Sequence, residues 1–310
     1  MDLRVWLGFF ALCLLSSTAW LVDAQWPSDI PPAPRQGLHS LVLALLFGVI
    51  AWTRAAPKNL PARPRFLLAL ASVLLLGVPA TIAQAALSGV SEVTIAASFA
   101  LLPVAVVVLV SYIGLGGGES PATNQLLAPA LVGLGGTLLL LPFEFPSSSR
   151  EAICEAAVLF AVLIAASASV WMHRLLRGFA VVEAVAICCL ANAAFFLTVI
   201  LASNLFGSAA TSPGWGSLWS WKSFTVEAAI SLLFDLPQLI LLLWLMRDIA
   251  PQRFAARYLV IPLLTVIEGY ALLRPELTLR AIAGAALVAF GAWHLIAANQ
   301  HGEEPRRMLG

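Results

Sequence analysis

The chain has 310 residues, 61% hydrophobic and only 11% charged, with a mean hydropathy of +0.94. A soluble domain carries roughly 25% charged residues, so this outer face must meet lipid, and no soluble domain of ordinary size fits anywhere in the chain. The net charge of +1 includes no basic arm and so excludes a nucleic-acid partner, and the four cysteines (Cys13, Cys154, Cys188 and Cys189) lie in or beside apolar runs with no CxxC or Cys/His spacing. They read as small core or lipid-facing residues rather than as a disulfide or a zinc site.

One bilayer crossing takes about 20 mostly apolar residues. The first candidate is 5–23: Val5 to Val22 is charge-free, follows Arg4, and precedes an Asp23-Ala24-Gln25 that resembles a leader-cleavage site. The run is longer than the ~7–15 residues of a leader's apolar region. Trp6 and Trp20 stand near its ends, where interfacial aromatics belong, so it is expected to remain as a span. The chain continues with 38–53, 66–85, 93–113, 125–142, 155–172, 179–202, 225–246, 257–273 and 281–298, which makes ten spans in all. The second and ninth are short, and the ninth carries Glu268. Breakers separate the runs: Pro57, Pro61 and Pro64; Gly116-Gly117-Gly118; Pro146-Ser147-Ser148-Ser149. The longest connection, 203–224, holds Trp215, Trp219 and Trp221 and is expected to lie at the headgroups.

Orientation follows from Lys and Arg. With the N-terminus in the cytoplasm, twelve of the seventeen basic residues face inward, including Arg54, Lys58, Arg63 and Arg65, Arg174 and Arg177, and Arg247, Arg253 and Arg257. Five face outward: Arg35, Arg150, Lys222, Arg274 and Arg280. Removing one span would put every later cluster on the wrong side, so the asymmetry supports the count as well as the direction, with both termini cytoplasmic.

The two halves resemble each other. Leu87-Ser88-Gly89-Val90-Ser91, then Ala96-Ala97 and Pro103, sits beside Met246-Arg247-Asp248-Ile249-Ala250, then Ala255-Ala256 and Pro262. Glu119 with Thr123 matches Glu276 with Thr278, and Gly136 matches Gly291, at offsets of 155 to 159 residues. Five spans per half is an odd number, so the halves must be inverted in the membrane. The loop at 86–92 has no basic residue, whereas its counterpart at 247–257 has three arginines. This pattern resembles the EamA repeat, the building block of the drug/metabolite transporter superfamily. Leu15-Ser16-Ser17-Thr18-Ala19-Trp20 is similar to that family's small-and-polar first span. The sequence departs from the family in having two extra residues between Glu119 and Thr123, and in the absence of an arginine from the second span. The resemblance implies ten spans, both termini cytoplasmic, and carriage of small metabolites by alternating access. The expected fold is an all-α polytopic membrane protein of two inverted five-helix repeats, 1–142 and 155–298. An external connection at 143–154 joins them, and a cytoplasmic tail covers 299–310.

Ionisable groups at membrane depth cost about 2.5–3.5 kcal/mol each on insertion scales and mark pathways by default. Asp235 and Glu268 fall nearest the midplane, with Asn192 and Gln238 at similar depth and Tyr270 nearby. Asp235 and Gln238, three apart, share a helix face. These five residues form the candidate substrate or proton site; the competing reading is a polar clasp that only holds the bundle together. Pro103, Pro237 and Pro262 lie inside spans and free the carbonyls of Phe99, Leu233 and Tyr258. All three are hinge candidates, the matched pair Pro103 and Pro262 foremost. Glu92, Glu183 and Glu227 are expected to reach headgroups or water from span ends, and Arg257 and His294 to snorkel. Gly284 and Gly291 are expected to serve helix packing, and Glu119 and Glu276 to cap the helices that follow them.

No HExxH, Gly-x-Ser-x-Gly or Walker motif is present. The expectation is therefore not an enzyme, with no cofactor and no metal. It is a secondary transporter of a small polar or amphipathic metabolite in a bacterial-type inner membrane, with export favoured over import on resemblance alone. The alternative is a membrane scaffold or sensor subunit that moves nothing. The partners are a small-molecule metabolite and the lipid bilayer, and pairing as a homodimer is left open.

Overall fold

A computed structural model describes residues 2–25, 28, 30–53, 62–112, 123–141, 143–206, 220–273 and 278–297. Glu119, Glu276, the triple glycine at 116–118, Trp215, Trp219, Arg54, Lys58, Arg274 and the 299–310 tail lie outside these residues. The described residues form ten apolar helical segments and no strands. In chain order these are α1 (Leu3–Gln25), α2 (Pro32–Thr53), α3 (Ala62–Ala86), α4 (Glu92–Phe99 continued by Leu102–Tyr112) and α5 (Thr123–Leu140). There follow α6 (Ser149–Leu176), α7 (Val181–Phe206), α8 (Trp221–Asp248), α9 (Pro251–Ala255 continued by Arg257–Leu273) and α10 (Leu279–Ala297). Nine of these are long and apolar enough to cross a bilayer, and in α5 the apolar stretch is Gln125–Leu140. The chain is an all-α, multi-pass membrane protein.

Several boundaries differ from the sequence reading. The second and ninth spans are full length; the short one is α5, which stops before Pro142, a residue that disfavours helix in the residue preceding it. Helix α6 starts at Ser149, so half of the expected connection at 143–154 is helical. Ser148 caps it by accepting from the Glu151 N–H, while the Glu151 carboxylate accepts from Ser147 N–H and Oγ. This is a variation on the Ser-x-x-Glu capping box, and it was readable in the sequence. Likewise α8 begins at Trp221, with Ser220 as its cap.

Two helices contain a five-residue π turn: Val73–Gly77 in α3 and Ser231–Asp235 in α8. Each is followed by a proline in the second position, Pro79 and Pro237, which have no N–H to give to the carbonyl four residues back. The helix widens there, and Val78 and Leu236 bond five residues back, to Val73 O and Ser231 O. Turns and prolines recur at one spacing, 73 to 231 and 79 to 237, or 158 residues. The sequence reading passed over Pro79. Helices α4 and α9 are both interrupted early, at Ala100–Leu101 and at Ala256. Pro103 therefore sits in the first turn of a new helical piece, whereas Pro262 lies inside the continuous Arg257–Leu273.

Packing follows the small residues. Helices α5 and α10 run against each other with glycine backbones in contact. A Cβ on Gly136 would stand 2.6 Å from Val288 N, and one on Gly291 would stand 2.6 Å from the Gly133 backbone and from Pro129 O. Gly284 meets Leu140 N and Gly136 O in the same way, so both glycines expected to serve packing do so. Helix α2 lies along α7, α1 on α8 and α9, and α6 on α3 and α4; α3 touches α7 and α8 touches α2. Exchanging each helix of the first five for the one five places later maps these pairs onto one another, although α8 also packs on α6 and α7, contacts that α3 does not repeat to the same extent with α1 and α2. Phe9, Leu68, Met172, Leu243, Met246, Leu259 and Leu295 fill the interior, while Leu45, Phe160, Leu190, Phe290 and Trp293 point outward.

Candidate functional site

Helices α1, α2, α3, α7, α8 and α9 border a partly open cavity of about 360 Å³. Its apolar wall includes Leu12, Leu43, Leu76, Phe196, Leu239 and Ile261, and its polar groups are Ser16, Gln36, His39, Ser40, Asn192, Asp235, Gln238, Arg257 and Tyr258. Of the five residues proposed from sequence, Asp235, Gln238 and Asn192 line this space. Glu268 and Tyr270 do not.

Asp235 is the last residue of the α8 π turn, and its side chain is 38% exposed. Its Oδ2 lies 2.6 Å from His39 Nδ1 on α2, an ion pair when the ring is protonated. His39 Nε2 lies 2.9 Å from Glu227 Oε2, which also accepts from Arg35 Nε at 2.8 Å, and Ser28 Oγ donates to Glu227 Oε1. A ring whose two nitrogens both face carboxylates is satisfied as an imidazolium. Arg35 and His39 then both face carboxylates of this network, Arg35 that of Glu227 and His39 those of Glu227 and Asp235. Glu227 is only 4% exposed and is buried in this network, not extended to headgroups as expected, because α8 begins at Trp221 and places it in the second turn.

Asn192 on α7 donates from Nδ2 to Ser72 Oγ (2.7 Å) and Cys188 O (2.9 Å), which leaves Oδ1 buried without a partner. Gly77, the last residue of the α3 π turn, lets α7 come this close. A Cβ there would stand 2.7 Å from Phe195 Cδ1 and 3.0 Å from Asn192 Oδ1. Gln238 accepts from Ser16 Oγ at 3.3 Å and donates to Leu15 O at 3.2 Å, joining α8 to α1 across the cavity wall.

Glu268 behaves differently. Its Oε1 accepts from Ser17 Oγ (2.8 Å) and Thr18 Oγ1 (3.2 Å), fastening α9 to α1, and Tyr270 lies half-buried beyond it. That is the clasp arrangement. Glu183 pairs with Arg65 at 3.1 Å and ties α7 to α3, while Glu92 is exposed in the first turn of α4. Arg257 does not snorkel: it is 5% exposed and faces the cavity. Its Nη2 donates to Tyr258 Oη at 2.8 Å, and its guanidinium lies over the Phe254 and Tyr258 rings at 4.2 and 4.7 Å. The reason is again a boundary: the ninth span starts at Pro251, which puts Arg257 more than a turn inside it. Cys188 and Cys189 line the cavity as free thiols. None of Pro103, Pro237 and Pro262 reaches it.

The sequence reading missed His39, Arg35, Glu227 and Arg257. Two signals were available. Arg35 and His39 stand four apart and so share a helix face. Glu227 and Asp235 stand eight apart, about two turns along one stripe.

No protein-family model matches the chain, and no curated protein matches it. Among solved structures, a crystal structure of a protein aligns with a TM-score of 0.70 at 19% identity, covering 95% of this chain and 98% of that one. The ten-segment bundle is therefore an architecture already seen in a crystal, along essentially the full length of both chains.

Proposed function

We propose that this chain is a secondary transporter of the EamA type, with two inverted five-helix halves that rock about the central cavity to move a small polar or amphipathic metabolite. The observation that carries this reading is the cavity itself. A scaffold or sensor that moves nothing gains no stability from leaving Asp235, Asn192 and Arg257 on an open space of about 360 Å³ within a membrane bundle, since such groups are stabilised there only by partners or water. The matched helix pairs on exchange of the halves, the repeated π turns and the sequence resemblance all support the inverted-repeat reading. Asp235 is the residue assigned to substrate or proton binding, with His39 as its ionic partner; Glu268 holds α1 and α9. Breaks at Ala100–Leu101 and Ala256, together with the three prolines, supply the bending points. Both termini lie in the cytoplasm of a bacterial-type inner membrane under this reading, and export is the favoured direction.

The test is exchange in proteoliposomes loaded with an isotopically labelled small-molecule cell extract, read by mass spectrometry against empty vesicles. One or a few compounds equilibrating only in the presence of protein is the expected outcome. Identical profiles would favour the scaffold reading.

A further inference from the structure

Among the described residues, Arg257 is a charge on the cavity that no carboxylate answers. Arg35 and His39 answer Glu227 and Asp235 within one connected network. Arg257 stands apart from it. Among the described residues no carboxylate lies within ion-pair distance of its guanidinium, although the side chain is about nineteen-twentieths buried. Its neighbours are the Phe254 and Tyr258 rings and the Tyr258 hydroxyl. An aromatic face offsets part of the cost of a desolvated cation. It leaves most of the five-donor fork of a guanidinium without acceptors. The stacking also holds the fork still, and a fixed fork pairs with an oxyanion through two parallel hydrogen bonds.

From this we infer that the cavity takes a small organic anion, with Arg257 binding its carboxylate or other oxyanion. The inference rests on the transporter reading and narrows its substrate class. Ser16, Gln36 and Ser40 on the same wall can take an N–H or O–H of the ligand, whereas Asn192 Oδ1 is sealed against Gly77 and is not reached from the cavity. Half of the lining residues are Leu, Ile, Phe or Cys, so the ligand carries an apolar part beside its polar groups. Asp235 does not oppose an anion, because its charge is already met by His39.

The experiment uses purified full-length protein and a panel of small organic acids, each paired with its neutral amide, from hydroxypropionate to 4-hydroxybenzoate and 4-hydroxyphenylpropionate. Two signals are read, thermal stabilisation in detergent and exchange in proteoliposomes, for the wild type, Arg257→Gln and Arg257→Lys. Acids should act where their amides do not. Arg257→Gln should weaken the acid effect tenfold or more, and Arg257→Lys should restore part of it. A second readout guards against a variant that does not fold: an effective acid should slow modification of Arg257 by phenylglyoxal in the wild-type protein, and its amide should not. Amides equal to acids, an acid effect unchanged in Arg257→Gln, or no response to any acid would each overturn the inference. If neutral or cationic compounds from the cell extract are exchanged while no acid is, the anion assignment fails and the transporter stands. If nothing is exchanged, both fail.

Discussion

Asp235 and Glu268 cost the same to place in a membrane, and a sequence treats them alike. Each is a carboxylate within a span in the second half of the chain, Asp235 near the middle of Trp221–Asp248 and Glu268 four residues from the end of Pro251–Leu272. Glu268 meets two hydroxyls of α1, at 2.8 and 3.2 Å, and fixes one helix to another. Asp235 sits on a widened turn, faces the cavity and touches a histidine that is itself tied to a second acid. The difference lies in the backbone. Pro237 removes a donor, and the π turn that follows from its absence offsets the register of α8 so that Asp235 meets the central space. The backbone of α9 is regular around Glu268, and its side chain meets the small polar stretch of α1. A costly residue thus acquires its role from local backbone geometry and from the helix opposite.

The sharpest way to break this comparison is to neutralise each acid in turn. Asp235→Asn is expected to reduce proteoliposome exchange to the empty-vesicle background while the protein remains monodisperse. Glu268→Gln is expected to leave exchange within about threefold of wild type and to lower stability by about 1 kcal/mol, the scale of one interhelical hydrogen bond in a membrane. The reverse pattern in paired exchange and melting measurements would exchange their roles.

Removing Glu227 strikes the network behind Asp235. Glu227→Ala takes one partner from the part-buried Arg35 and one from the buried His39, a loss of about 1–3 kcal/mol. Thermal unfolding in detergent measures it; a change below about 1 kcal/mol would mean that water already replaces the carboxylate.

A lesion far from both acids separates stability from transport. Gly291→Ala drives a Cβ to 2.6 Å from the Gly133 backbone and should cost about 1–3 kcal/mol by overpacking. Exchange measured below its melting temperature should stay near wild type. A complete loss of exchange with only that change in stability would tie the α5–α10 seam to the transport cycle.

The smallest effect should come from the other side of the clasp. Ser17→Ala removes one of the two hydroxyl donors to Glu268 and should cost about 0.6 kcal/mol. Combined with Glu268→Gln it should add little further loss, since both remove the same contact. Full additivity in melting measurements would mean that Ser17 and Glu268 do not act together.

Much of the fold was legible because a bilayer imposes a single length scale and leaves apolar runs little alternative. The ten helical segments among the described residues were found, along with the small-residue packing of Gly284 and Gly291. Their ends were less legible. Caps such as Ser148 and Ser220 lie outside the apolar runs that define a span, so α6 and α8 were read as starting later than they do. That error propagated to the site. Glu227 and Arg257 were assigned to span ends and hence to water, when both are a turn or more inside their helices and buried. Cost at depth identified Asp235, Asn192 and Gln238, all on the cavity. It could not separate them from Glu268, because the sequence does not show which helix stands opposite which. His39 was hidden for the same reason: its partners are 188 and 196 residues away.

The central claim is that the cavity opens alternately to the two sides of the membrane. Ser40 lines it and is half-buried, so Ser40→Cys, in a chain whose four native cysteines are replaced by alanine, reports on access. A membrane-impermeant thiol reagent is added to oriented vesicles from one side or the other, with and without a saturating exchanged compound. Alternating access predicts labelling from both sides, with the compound changing both rates. Labelling from neither side, or from one side only under every condition, would contradict it.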